Sequence, residues 1–345
     1  MKTCSSPLAH AAASLVLALA VTTPAHADQT FNLKISLWGP TTHPLYASMK
    51  EWADSVEKDS NGTLKSTLYP SQQLGKAFDH YDMARDGIAD MTYVSPGYQP
   101  GRFPIIAAAD LPFMINDAVK GSEALDAWYR KYADREMKDV KLCVAFVHAP
   151  SGIHSRARKI VLPTDLAGLK VRPADSTIAS LVTSQGGTNV QASAFEARDV
   201  LEKGVADAIT FPWGSSVLYG IDQVTKYHMN APLYVSGFVF AFNKSKYRRM
   251  SAAQQKVIDN HCNTEWAGRV AKRWSDFEEA GVAKIAAEPG QDVYTLDAQQ
   301  IEAWKKAALP LHDSWAKAVQ KTGMNPKAVM QDFQDTLQRY GAAVK

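Results

Sequence analysis

Phe31-Asn32-Leu33-Lys34-Ile35-Ser36-Leu37 alternates apolar and polar residues, the period of a strand with one buried face. The residues after this strand decide the fold. His43 to Asp59 places Leu45, Met49, Trp52, Ala53 and Val56 on one helical face, and Asn61-Gly62 closes that helix. Leu64 to Tyr69 reads as a second strand, Ala77 to Arg85 as a second helix and Asp90 to Val94 as a third strand. This β-α-β-α-β order predicts an open, mostly parallel sheet with helices on both faces, the α/β class.

The architecture recurs further along. Leu169 to Arg172, Asn189 to Gln191 and Asp207 to Phe211 read as strands. Thr177 to Gln185 and Ala194 to Lys203 read as the helices between them. The recurrence predicts a second lobe built like the first. Val140 to Val147 reads as a strand crossing between the lobes, and Leu233 to Phe242 as the return. The C-terminal third is helical: Ala252 to Ala287, then Asp297 to Tyr340 with breaks expected at Pro310 and Gly323. Trp266, Trp274, Trp304 and Trp315 lie on these helices and read as packing residues. No soft linker separates the lobes, so paired strands are the expected hinge.

Length and composition agree with two lobes. The chain has 345 residues, of which 46% are hydrophobic and 21% charged. Its formal net charge of +3, with no lysine or arginine block, carries no electrostatic footprint for nucleic acid. Lys2, the apolar run Leu8 to Val21 and Ala25-His26-Ala27 read as a secretory signal, with cleavage expected after Ala27. Cys4 precedes the apolar run and cannot become a lipid-modified first residue. No later stretch is long and apolar enough to span a bilayer. Cys143, in a strand, and Cys262, in a helical pattern, are expected to be buried free thiols, although export would permit a bridge.

Catalytic signatures are missing. There is no G-x-S-x-G elbow, H-E-x-x-H or phosphate-binding loop. His148 and His154 stand six apart across a Pro-Ser-Gly turn, a spacing that fits no usual zinc site, and Gly186-Gly187 reads as a turn. No cofactor or metal is expected. Arg172 ends a strand, at the sheet edge where open α/β folds place ligands. There its planar fork suits a carboxylate, and a structural salt bridge is the equal alternative. Phe211-Pro212-Trp213 ends the neighbouring strand, so its aromatics either line a pocket or pack in the core. Trp38, Tyr93, Tyr98 and His148 are secondary candidates, each with a structural reading beside the functional one.

These residues sit in motifs that resemble those of the solute-binding proteins of TRAP transporters, the tripartite ATP-independent periplasmic systems. Tyr69-Pro70-Ser71-Gln72-Gln73-Leu74-Gly75 is similar to the family's Y-P-x-x-Q-L-G segment, and Asp110-Leu111-Pro112-Phe113 to its D-L-P-F turn. Leu162-Pro163-Thr164-Asp165-Leu166-Ala167-Gly168-Leu169-Lys170-Val171-Arg172 matches P-x-D-L-x-G-L-K-x-R, the most specific of the set. Leu201-Glu202-Lys203-Gly204-Val205-Ala206-Asp207 matches L-x-x-G-x-x-D. The resemblance implies a two-lobed periplasmic binding protein fold with hinge strands, a long connecting helix and a cleft between lobes. Residues 1–27 would be the signal peptide and 28–147 the first lobe, with parts of about 235–275. Residues 148–234 would form the second lobe, with parts of the C-terminal helices 276–345. It further implies that Arg172 clamps a carboxylate, that closure is hinged, and that the partner is a permease with a small and a large membrane subunit. The chain itself would be monomeric and would neither span the membrane nor catalyse a reaction.

The chain also departs from the family. Where many members carry Q-E-N-P, it has Ile209-Thr210-Phe211-Pro212, with Ala208 in place of a glycine and Ala194 in place of a frequent aromatic. Gly152 lies where some members have a second arginine, and a shifted alignment brings His154 or Arg156 there. Phe211 replacing a polar contact points to an aromatic or hydrophobic monocarboxylate. Two other readings share these observations: a binding protein for another transporter or sensor, and a secreted enzyme on a two-lobed scaffold.

Overall fold

The computed structural model describes residues 29–344, together with Met1 and Thr3. The secretory signal with Lys2, Cys4, the run Leu8 to Val21 and the cleavage position lies outside the described residues. No described helix is long and apolar enough to cross a membrane.

Two sheets organise the chain. The first contains β1 (Phe31–Ser36), β2 (Leu64–Tyr69), β3 (Met91–Val94) and β4 (Val140–Val147). The second contains β5 (Ile153–Ser155), β6 (Lys170–Arg172), β7 (Thr188–Asn189), β8 (Ala208–Thr210) and β9 (Tyr227–Met229). The chain then returns to the first sheet as β10 (Gly237–Asn243) and once more to the second as β11 (Asp292–Tyr294). The orders are β2-β1-β3-β10-β4 and β11-β9-β5-β8-β6-β7. β1 is parallel to β2 and β3, as the βαβ pattern requires, whereas β10 enters antiparallel between β3 and β4. The sheet is mixed because the returning strand arrives from the other lobe, without a crossover helix to reverse it.

The segments linking the sheets run side by side. Ser151 and Tyr234 form an isolated antiparallel bridge, with Ser151 N donating to Tyr234 O at 3.0 Å and Leu233 N to Ser151 O at 3.1 Å. A third connection is the helix Thr264–Ala287, capped by the Asn263 side chain. It packs on helices Ala118–Tyr129 and Pro44–Asp59 beside the first sheet, and on Trp213–Leu218 beside the second. Its contact with the last of these is unusually close. A β-carbon on Gly281 would lie 2.2 Å from Gly214 N, and one on Gly214 would lie 2.3 Å from Phe277 O.

Two expectations are corrected. Cys143 and Cys262 form a disulfide, not free thiols. Separate strand and helix assignments gave no sign that β4 lies against the turn between helices Ala252–His261 and Thr264–Ala287. Pro310 does not break its helix, which runs from Ala298 to Gln320. Trp304, Ala308, Leu311, Trp315 and Val319 keep one buried stripe through it, and that packing outweighs the lost backbone hydrogen bond. The break at Gly323 is present, at φ +80°. The final helix, Pro326–Tyr340, then returns to the first lobe, where Phe333 meets Trp128 at 4.5 Å.

Candidate functional site

β6 and β8 are parallel neighbours with Arg172 beside Ile209. The register therefore brings Arg172 and the segment Thr210 to Trp213 to the same edge of the second sheet, facing the first. Arg172 is only 1% exposed. Its Nε donates to Ala192 O at 2.9 Å, Nη1 to Thr210 O at 3.5 Å and Nη2 to the Tyr98 hydroxyl at 3.0 Å. No carboxylate among the described residues forms an ion pair with it. A buried guanidinium with only neutral acceptors has lost its hydration without gaining an anion, a costly state.

Tyr98 comes from the opposite lobe, on the turn Pro96–Tyr98 after β3. Its oxygen accepts from Arg172 and from Ala194 N, both at 3.0 Å. Its own proton has no acceptor among the described residues. The lobes are thus drawn together around a cavity lined from both. Arg172, Tyr98, Phe211, Tyr219, Trp38, Phe238 and Trp274 are the large side chains of its wall. Phe211 and Tyr98 flank the guanidinium, with its carbon 5.6 and 6.0 Å from their ring centres. Trp38 stacks on Tyr93 at 4.4 Å, and Phe238 lies 5.4 Å from Trp274.

The histidines around the cavity add no charge to that of Arg172. Burial lowers His43 to about 3 and His148 to about 4, so both are neutral at pH 7. His148 is internally satisfied: Nδ1 pairs with Ala149 O at 2.6 Å, and Nε2 accepts from Ser236 N at 3.0 Å. Burial pushes Glu278 up to about 7. Its partners are neutral donors, namely Ser215 N at 3.0 Å, the Ser215 hydroxyl and Trp274 Nε1.

Among the residues singled out from sequence, Arg172, Phe211, Trp38, Tyr98 and His148 share this cavity wall. Tyr93 lies beneath Trp38, outside that wall. Trp213 and His154 stand behind it, packed edge to face at 4.9 Å. His154 Nε2 and the Ser151 hydroxyl donate to Phe211 O at 2.9 and 2.7 Å, which fixes the backbone that carries the Phe211 ring. Arg156 is exposed, and a β-carbon on Gly152 would lie 2.1 Å from Met229 O, leaving no room for a second arginine there. Trp274 is corrected from a packing residue to a cavity-wall residue, while Trp266 and Trp304 are core. Tyr219, Phe238, His43, Ser215 and Ser236 were not anticipated. Phe238 was readable only as part of a β-rich run, and Tyr219 follows a short helix with no motif to mark it.

Comparison with known proteins agrees with this geometry. Residues 36–318 match the model for bacterial extracellular solute-binding proteins, family 7. The 2,3-diketo-L-gulonate-binding periplasmic protein YiaO of Escherichia coli K12 is 23% identical over 263 residues, 74% of this chain and 78% of its own. A TRAP solute-binding protein from Rhodoferax ferrireducens T118, solved with copurified benzoate, superposes with a TM-score of 0.85. It is 27% identical, and the match covers 90% of this chain and 99% of that one. A marine metagenome TRAP solute-binding protein specific for aromatic acid ligands, solved with metahydroxyphenylacetate, gives 0.83 at 31% identity over the same shares.

Proposed function

The chain belongs to the family 7 bacterial extracellular solute-binding proteins, the solute-binding components of TRAP transporters, and from that premise we propose that it captures an aromatic or otherwise hydrophobic monocarboxylate. It holds the acid between its lobes in the periplasm and presents it to a TRAP permease, acting as a monomer, without chemical conversion and after signal cleavage following Ala27. The observation that carries the ligand class is Arg172, buried and without an acidic partner, in a cavity walled chiefly by aromatic rings. One carboxylate satisfies the guanidinium bidentately and accepts the free proton of Tyr98. The remaining wall is chiefly ring faces, with the hydroxyls of Ser95, Ser215, Ser236 and Tyr219 among them, which suits an apolar body more than a sugar acid with a hydroxyl on nearly every carbon. Residues 28–147 with parts of about 235–275 and the final helix Pro326–Tyr340 form one moving unit, and 148–234 with the helix Ala298–Gln320 the other. Because Tyr98 and Arg172 come from opposite units, a ligand joined to both favours the closed state selectively.

The test is calorimetry on protein unfolded and refolded to remove any carried ligand. Benzoate, phenylacetate and mandelate are expected to bind at micromolar concentration or below, while galacturonate and glucuronate do not, and Arg172→Met is expected to abolish binding. A sugar acid that binds most tightly, or aromatic binding that survives in Arg172→Met, contradicts the proposal.

A further inference from the structure

The guanidinium side of the cavity is accounted for, but unspent hydrogen-bonding capacity remains in and beneath its wall. Trp38 Nε1 and the hydroxyls of Tyr93 and Tyr219 are buried and have no partner among the described residues. Buried donors are rarely left so, because each forfeits water without replacement. Tyr93 lies under Trp38, but Trp38 and Tyr219 stand in the cavity wall itself.

Their position relative to Arg172 is informative. Phe211 and Tyr98 flank the guanidinium; the ring centre of Tyr219 lies 5.7 Å from that of Phe211, and that of Trp38 6.4 Å from that of Tyr98. Each unpaired donor therefore sits on a ring that neighbours one of the two flanking the charge. They also belong to opposite lobes, Trp38 lying just after β1 and Tyr219 just after the helix Trp213–Leu218. The Tyr219 hydroxyl reaches across the cleft, 3.6 Å from the point where a β-carbon on Gly39 would lie.

We infer that Trp38 Nε1 and the Tyr219 hydroxyl form a second anchor, which selects aromatic acids that carry a hydroxyl group on the ring away from the carboxylate. This deepens the proposed function and rests on its aromatic-acid reading. Indole N–H only donates, so the ligand group must accept; the tyrosine hydroxyl can do either. A phenolic hydroxyl meets both, accepting from Trp38 and donating to Tyr219. A second carboxylate would also accept, but it would place a charge where the wall supplies no second cation. Joined to both lobes, the hydroxyl adds to closure as the carboxylate does.

The experiment compares benzoate with 3- and 4-hydroxybenzoate, and phenylacetate with 3- and 4-hydroxyphenylacetate, by calorimetry on ligand-free protein. In at least one series a hydroxylated acid is expected to bind about tenfold more tightly than its parent, the effect of about one well-placed hydrogen bond. In Tyr219→Phe, which keeps the ring, that ratio is expected to fall to about one; being internal to one protein, it is insensitive to a partly unfolded sample. Parents that bind as well as, or better than, their hydroxylated counterparts overturn the second anchor while leaving the aromatic-acid reading intact. A preference that survives Tyr219→Phe also overturns it. Failure of every aromatic acid to bind removes the underlying reading and this inference with it.

Discussion

Two arginines lie against the interior of this protein, and their surroundings differ in kind. Arg130 meets Asp126, a residue with no exposure, through Nε at 2.6 Å and Nη2 at 2.9 Å. Asp126 also accepts from Ala145 N and the Thr264 hydroxyl, both at 2.9 Å. That carboxylate receives four donors from a helix, a strand and the start of the long helix, next to the Cys143–Cys262 bridge. Arg172 is buried more deeply and makes no ion pair among the described residues, the buried Asp175 acting on it only through space. The first pair is complete in the folded chain, whereas the Arg172 guanidinium meets only neutral acceptors among the described residues. Burial alone therefore does not distinguish a structural arginine from a functional one; the distinction lies in whether the charge is answered from within the protein.

The contrast is sharpened by exchanging readouts. Asp126→Asn forces an amide N–H₂ against two of the four donors and leaves Arg130 without its anion. It is expected to cost about 3 kcal/mol in chemical denaturation while leaving affinity for an aromatic acid unchanged. In Arg172→Met the ligand-free protein is expected to be no less stable, since the change removes an unanswered buried charge. If Arg172→Met proved the more destabilising of the two, Arg172 would be a structural residue and the contrast would fail.

A smaller effect concerns Glu278, an acid beside the cavity whose partners are all neutral. Burial raises its carboxyl from 4.5 to about 7. A raised folded-state value means that the native protein holds this proton more tightly than the unfolded chain does. The contribution is therefore fully present below about pH 4.5 and is lost as pH rises through about 7. The buried histidines, whose values are lowered, trend oppositely, so the comparison must be made against Glu278→Gln. The wild type is expected to lose stability relative to that variant between pH 4.5 and 7 in denaturant titrations. A constant difference across that range would mean that Glu278 is already ionised.

Much of this was legible in the sequence, and the limits have physical causes. The first three strands, the helix Pro44–Asp59 and Arg172 at a strand end were readable because periodicity and the motif around Gly168 are local signals. The aromatic replacement at Phe211 was readable for the same reason. The disulfide, the unbroken helix through Pro310 and the cavity role of Trp274 were not. Each depends on which surfaces meet across a hundred or more residues, or on packing that overrides a local preference. Tyr219 was invisible for a further reason: its significance is a hydroxyl without a partner, and only coordinates reveal an absence of partners. His154 shows the converse, since a plausible ligand contact proved to support the Phe211 carbonyl from behind.

The central claim is that Arg172 waits for a carboxylate. Its most direct test needs no substitution in the protein: calorimetric titration of the refolded, ligand-free chain with benzoate and with benzamide, which share shape and ring but differ in charge. Benzoate is expected to bind at least about a hundredfold more tightly, the size of effect seen when a buried charge is paired or left unpaired. Equal affinity for the two would contradict the account, because the cavity would then be reading the ring alone.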